Sequence, residues 1–305
     1  MVFIRVAFTV IVLVTLIASS PNAAPHFLNW SAPVNLGPTI NSTFAEAGPA
    51  ISKDRLSLYF HSERPGGEGS TDFWVSQRSS EDAPWEAPVH LGDAINTPFT
   101  EAVAALSRDE HWLFFTSDRP DGFGGNDIWA SYRQHAHDPF DWQPAVNLGA
   151  GVNSAFLESA PSYFANDDGG APQLFFHSAR PGGLGGTDIY VSELFPNGTW
   201  GPASLVVELS GSSNEQHPSI RFDGLEVFFF SPRPGSLGGP DVWAATRRTV
   251  SGLWSTPANL GSIVNSALAE VQPYIASDRR TLFFQSDRPG GFGSQDIWMT
   301  TRSKS

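Results

Sequence analysis

Five times along the chain a glutamate is followed by an arginine and an aspartate that flank a glycine-rich turn. The sets are Glu46, Arg64 and Asp72; Glu101, Arg119 and Asp127; Glu158, Arg180 and Asp188; Glu215, Arg233 and Asp241; and Glu270, Arg288 and Asp296. Two carboxylates and a guanidinium in one place support two kinds of chemistry. They can form a repeated polar lock, with arginine pairing with glutamate while aspartate accepts N–H bonds from the glycine loop as it opens a strand. Alternatively, the five glutamates can ring an axial site for a cation or a basic partner, with the arginines beside them. Glycosidic bond cleavage would need two carboxylates in different environments, and five equivalent copies single out no such pair. There is no Gly-x-Ser-x-Gly and the eight histidines lie in unrelated contexts, so a Ser-His-Asp hydrolase is unsupported.

The elements that must hold these residues are legible from the repeat. The glycine phrases read SERPGGEGSTDFW, SDRPDGFGGNDIW, SARPGGLGGTDIY, SPRPGSLGGPDVW and SDRPGGFGSQDIW, and the glutamates step by 55, 57, 57 and 55 residues. Each unit opens on a tryptophan (Trp30, Trp85, Trp142, Trp200, Trp254), and its apolar runs alternate as strands do, with no helical period. Four strands are predicted per unit, in the first at about Glu46–Ser52, Leu58–Ser62, Asp72–Arg78 and Trp85–Leu91. Radial repetition of such units gives an all-β, five-bladed β-propeller of four-stranded antiparallel blades. The last unit stops after its third strand, while WSAPVNLG at Trp30 is a fourth strand without a blade. The N-terminal strand is therefore expected to complete the last blade and close the ring, removing an exposed edge.

Residues 1–24 have the charge, apolar core and small-residue end of a secretory signal peptide, leaving 25–305 as one propeller domain, secreted or periplasmic. With 31 acidic against 18 basic residues the chain is an anion, which excludes nucleic acid as a natural partner. There is no cysteine for disulfides or lipidation. No second apolar run could span a membrane, and a monomer is expected.

The run E-x-x-P-x-[IF]-S-x-D, then LYF-x-S, then RPGG-x-GG-x-DIW resembles the WD40-like β-propeller repeat of the TolB type. Ala104 departs from it, standing where the other units carry Pro49, Pro161, Pro218 and Pro273; so does unit four, with VVELSGSSN in place of N-L-G and I-N-S. The resemblance implies a secreted or periplasmic interaction scaffold. The leading expectation is thus a scaffold that binds a protein or cell-envelope glycan through its loop-rich face. The alternatives are a carbohydrate-active, glycosidase-like enzyme and a sugar-binding lectin using the axis or the blades. Trp74, Trp129, Tyr190, Trp243 and Trp298 could serve as lectin platforms, but their place in apolar runs favours packing between blades.

A single ligand needs an asymmetric site, so the positions at which the copies disagree carry more information about function. Before the repeated arginine stand Glu63, Asp118, Ala179, Pro232 and Asp287. In a closed ring Asp287, Glu63 and Asp118 form an acidic arc, extended by Glu68 and Asp121, that suits a basic partner or a cation. No cofactor is predicted, although GGLGGTD is weakly similar to calcium-binding β-rolls and leaves room for a cation such as calcium.

Overall fold

The computed structural model describes residues 29–167 and 169–303; the expected signal peptide lies outside the described residues. Twenty strands form five four-stranded antiparallel sheets in a ring, with no helix among the described residues. After β1 (Val34–Asn35), blade one contains β2 (Glu46–Ile51), β3 (Ser57–Ser62), β4 (Asp72–Gln77) and β5 (Val89–His90). Blade two contains β6 (Glu101–Leu106), β7 (Trp112–Ser117), β8 (Asp127–Tyr132) and β9 (Val146–Asn147). Blade three contains β10 (Glu158–Phe164), β11 (Gln173–Ser178), β12 (Asp188–Glu193) and β13 (Ser204–Leu205). Blade four contains β14 (Gln216–Ile220), β15 (Glu226–Ser231), β16 (Asp241–Thr246) and β17 (Ala258–Asn259). Blade five contains β18 (Glu270–Ile275), β19 (Thr281–Ser286) and β20 (Asp296–Thr301), and β1 is its fourth strand.

The closure is the one anticipated. Val34 and Asn35 pair with Met299 and Trp298, Trp30 bridges Arg302, and Ser31 bonds to Thr301. The fourth strands are shorter than expected, two residues each; Pro33, Pro88 and Pro257 directly before β1, β5 and β17 have no N–H to extend the ladder, and Pro144 and Pro202 stand one residue further back before β9 and β13. Every innermost strand carries a bulge. The residue two after the glutamate (Gly48, Val103, Ala160, His217, Gln272) has φ between 52° and 56°, and register shifts there. A left-handed valine is unusual, so blade geometry rather than residue preference imposes this conformation.

Phe60, Phe115, Phe176, Phe229 and Phe284 are buried, one per blade, beside Trp74, Trp129, Tyr190, Trp243 and Trp298. These last five thus pack in the core and are not exposed platforms. Among the described residues no helix is long and apolar enough to cross a membrane.

The closing strand is held by one side chain above all. Trp30 lies 5.0 Å beneath the Arg302 guanidinium and meets Phe228 of blade four edge-on at 5.9 Å, while Arg302 grips Glu226 of blade four at 2.6 and 2.7 Å. Trp30→Ala is predicted to lower stability by about 3–5 kcal/mol in a denaturant titration; a loss under about 1 kcal/mol would mean that this strand does not carry ring closure.

Candidate functional site

The loops that carry the repeated residues all emerge on one face of the disc. Each glutamate is 0% exposed and is completely bonded. Glu46 Oε2 accepts the Ser42 N–H at 2.6 Å; Oε1 accepts Ser42 Oγ at 2.6 Å, Ser62 Oγ at 2.9 Å and Arg64 Nη2 at 3.0 Å. Glu101, Glu158, Glu215 and Glu270 repeat the set with Arg119, Arg180, Arg233 and Arg288 at 2.9 to 3.0 Å, although in blade four Gly211 supplies only its N–H. Each arginine also donates to a carbonyl of the preceding loop (Ile40, Ile95, Val152, Leu209 or Val264). It lies over two core aromatics as well, Phe60 and Trp74 in blade one.

Asp72, Asp127, Asp188, Asp241 and Asp296 accept N–H groups of their own glycine loops, at Glu68, Phe123, Leu184, Leu237 and Phe292. The aspartates do not pair with the arginines. Glu, Arg and Asp therefore form two locks, and no oxygen of the glutamates faces solvent. The cause is desolvation: a buried carboxylate is tolerated only when charge-assisted donors surround it.

The same glutamates tie the ring together. Their N–H groups donate to the carbonyl just before the aspartate of the previous blade at 2.9 to 3.0 Å, from Glu46 to Gln295, Glu101 to Thr71, Glu158 to Asn126, Glu215 to Thr187 and Glu270 to Pro240. The INS asparagines, whose role has no local sequence signal, do comparable work. Buried Asn41, Asn96, Asn153 and Asn265 each exchange two bonds with the backbone of the neighbouring blade's third strand, at Ile297, Phe73, Ile128 and Val242.

The positions that differ lie around the axis. The residue that ends each second strand on the axial side reaches across the seam to the N–H of the bulged residue in the next blade. His61 Nδ1 accepts from Val103 at 3.2 Å, Thr116 Oγ1 from Ala160 at 3.0 Å, and His177 Nδ1 from His217 at 3.3 Å. These bonds fix the Nδ1 atoms of His61 and His177 as acceptors. Burial holds both rings down to about 4, and it pushes His217 well below the ordinary histidine value, with His177 and His61 adding to the effect. All three are neutral at pH 7.

The series breaks at the two remaining seams. Phe230 has no acceptor, and Gln285 donates instead to Gln295 Oε1. Here a cleft of about 110 Å³ opens between blades five and one, lined by Ala45, Ala47, His61, Ser62, Glu63, Thr71, Gln272, Gln285 and Gln295. Gln272 Oε1 and Gln285 Oε1 are buried acceptors without a donor, and on the adjoining strand His217 Nδ1 is buried without a partner. Of the acidic arc, Asp118 and Asp287 accept the N–H groups of Thr100 and Ala269, whereas Glu63 stands exposed at the cleft. Glu68 is exposed, its carboxyl raised by partial desolvation and by a hydrogen bond with Asp93. No group of three or more His, Asp or Glu among the described residues is arranged to hold a metal ion.

No family profile matches the chain, and no curated protein sequence matches it. Solved structures do match its fold. A thermostable family-43 glycoside hydrolase is 12% identical, with 89% of this chain and 98% of the other covered at TM-score 0.60. An α-L-arabinofuranosidase from Podospora anserina, solved with cellotriose, is 12% identical, with 91% and 97% covered at TM-score 0.56. A putative TolB from Agrobacterium tumefaciens is 15% identical, with 85% and 78% covered at TM-score 0.51.

At these identities the likeness establishes the five-bladed propeller. The leading expectation of a partner-binding scaffold is corrected here, because the structures sharing this ring are mostly glycoside hydrolases. Physically, too, the glutamate, arginine and aspartate groups that suggested a broad docking face are bonded within the loops. At the axial end of the seam between blades five and one, what remains open is a small cleft.

The axial histidines predict a pH dependence. A histidine whose folded value lies near 4 stays neutral while the unfolded chain protonates from about 6.5 downward. Its stabilising contribution is complete above 6.5 and is lost as pH falls toward 4, by about 2 kcal/mol per histidine at pH 5. His61→Gln, which installs the residue blade five carries, is predicted to flatten the fall in thermal midpoint between pH 7 and pH 5; an unchanged slope would show that His61 does not set it.

Proposed function

We propose that this chain is a carbohydrate-active propeller whose glycan site is the axial cleft between blades five and one. The observation that carries this reading is the pair of orphaned acceptors in the cleft, Gln272 Oε1 and Gln285 Oε1, with the unpartnered His217 Nδ1 on the next strand. Leaving such groups unpaired costs about 1–3 kcal/mol each. A ligand that presents several O–H donors on a small ring satisfies them together, as a sugar does. The neutral imidazoles suit an uncharged ligand, and the shared fold with glycoside hydrolases supports the same class.

Hydrolysis is the stronger form of the proposal. The lock glutamates and aspartates are not free for it, which leaves Glu63 as the carboxylate at the cleft; Glu68, outside the cleft lining, is the carboxyl whose raised pKa suits a proton donor. We propose further that the repeat is of the TolB type and that the protein works outside the cytoplasm. The repeat phrase supports the first statement and the apolar leader with its small-residue end supports the second.

Gln285→Leu separates function from folding. The change removes the orphaned Gln285 Oε1 together with the Nε2 bond to Gln295, two effects of opposite sign that are predicted to leave the melting temperature near the wild-type value, while glycan binding measured by calorimetry weakens at least tenfold. Glu63→Gln should keep binding and lose turnover of aryl glycosides. Wild-type affinity in Gln285→Leu across a glycan panel would contradict the assignment.

A further inference from the structure

The outer seam between blades two and three holds a second, larger pocket of about 510 Å³. Three of its walls are departures from the repeat, and they come from two different blades. Leu194 follows β12, where the other blades carry Arg78, Arg133, Arg247 and Arg302. Each of those guanidinium groups lies over the tryptophan of its own blade: 4.3 Å from Trp85, 4.4 Å from Trp142, 4.3 Å from Trp254 and 5.0 Å from Trp30. With leucine there, Trp200 is half-buried and no cation covers it among the described residues.

The second departure is Trp112, 39% exposed at the start of β7, where the other blades place Ser57, Gln173, Glu226 and Thr281. The third is Tyr163 of β10, which replaces Ile51, Leu106, Ile220 and Ile275. Phe114 joins them as a floor, stacked on Tyr163 at 5.3 Å and edge-on to Trp200 at 6.2 Å. Asn147, Thr199 and the peptide groups of Gly149 and Gly198 supply the polar part of the lining.

Two aromatic residues gained and one aromatic cap lost, all at a single seam, make a site rather than a packing fault. An exposed tryptophan and an uncovered indole cost solvation free energy that the other four seams avoid. The volume falls within the range of about 300–1,000 Å³ usual for small-molecule sites. Ring faces that take C–H groups, with hydroxyl and peptide groups at their edge, match a pyranose, whose two faces are apolar and whose rim is hydroxylated.

We propose that this pocket is a second glycan-binding site, separate from the axial cleft, that holds a neutral oligosaccharide segment by stacking on Trp112 and Trp200. For its ligand class it rests on the carbohydrate reading of the axial cleft. The two sites would let one glycan chain, or two, be held at the rim and at the axis.

Calorimetric titration with xylotriose and with cellotriose at millimolar concentration tests it on three variants. Leu194→Arg restores the guanidinium that four blades already use, so the fold itself supplies the precedent. Trp112→Ala removes the other platform without touching Trp200, and Gln285→Leu disables the axial cleft alone. Leu194→Arg and Trp112→Ala are each expected to remove one binding step or weaken it at least tenfold, about 1.4 kcal/mol, with Leu194→Arg melting no lower than wild type; Gln285→Leu leaves that step intact. Wild-type affinity and stoichiometry in both seam variants would overturn the proposal, as would failure of both trisaccharides to bind the wild type. If Gln285→Leu abolishes all binding and Leu194→Arg none, the seam site falls and the axial reading stands; the reverse result sinks the axial reading and leaves the seam.

Discussion

Five carboxylates with no exposure to water are the constraint on which this structure turns. Breaking one such pair would cost about 3–5 kcal/mol, so each glutamate requires its full set of donors: a loop N–H, a strand serine and an arginine anchored on two aromatic faces. Meeting that requirement shapes the loop before the glutamate, the end of the second strand and the turn after it. Because the glutamate's own N–H reaches the previous blade, one residue closes both a loop and a seam. Repeated five times, the device makes the ring without cysteine.

Much of this was legible in the sequence, for physical reasons that can be named. The 55–57-residue period and strand alternation defined the blades, and the offset between the final unit and Trp30 defined the closure. The fourth strands are shorter than the apolar pattern suggests, since a proline at or near each strand's start offers no N–H to the ladder. The INS asparagines have the signature of loop residues, since nothing local reveals that an amide will pair with the backbone of the preceding blade's third strand. The lock is one of the two readings the residue types allow, with arginine on glutamate and aspartate on its glycine loop; the further partner that four of the aspartates find on the fourth strand, Asn35, His90, Asn147 or Asn259, has no local signal.

The candidate sites were less legible because both are built from absences. Gln285 and Phe230 are ordinary residues until the three histidine and threonine bonds at the other seams show what they fail to do. Leu194 breaks a column of four arginines that is visible in the aligned units, so that signal was present. What was not visible was that the indole beneath it would face Trp112 of a different blade. Long-range juxtaposition across a seam depends on the closed ring, and only the three-dimensional structure supplies it.

Symmetry builds the scaffold, and departures from symmetry carry the function. The measurement that tests this most directly is glycan binding by a regularised chain in which Leu194→Arg, Trp112→Ser, Tyr163→Ile and Gln285→Thr return both sites to the repeat pattern. The account predicts a protein that folds with equal or greater thermal stability and no longer binds neutral oligosaccharides. A regularised chain that binds them with wild-type affinity would contradict it.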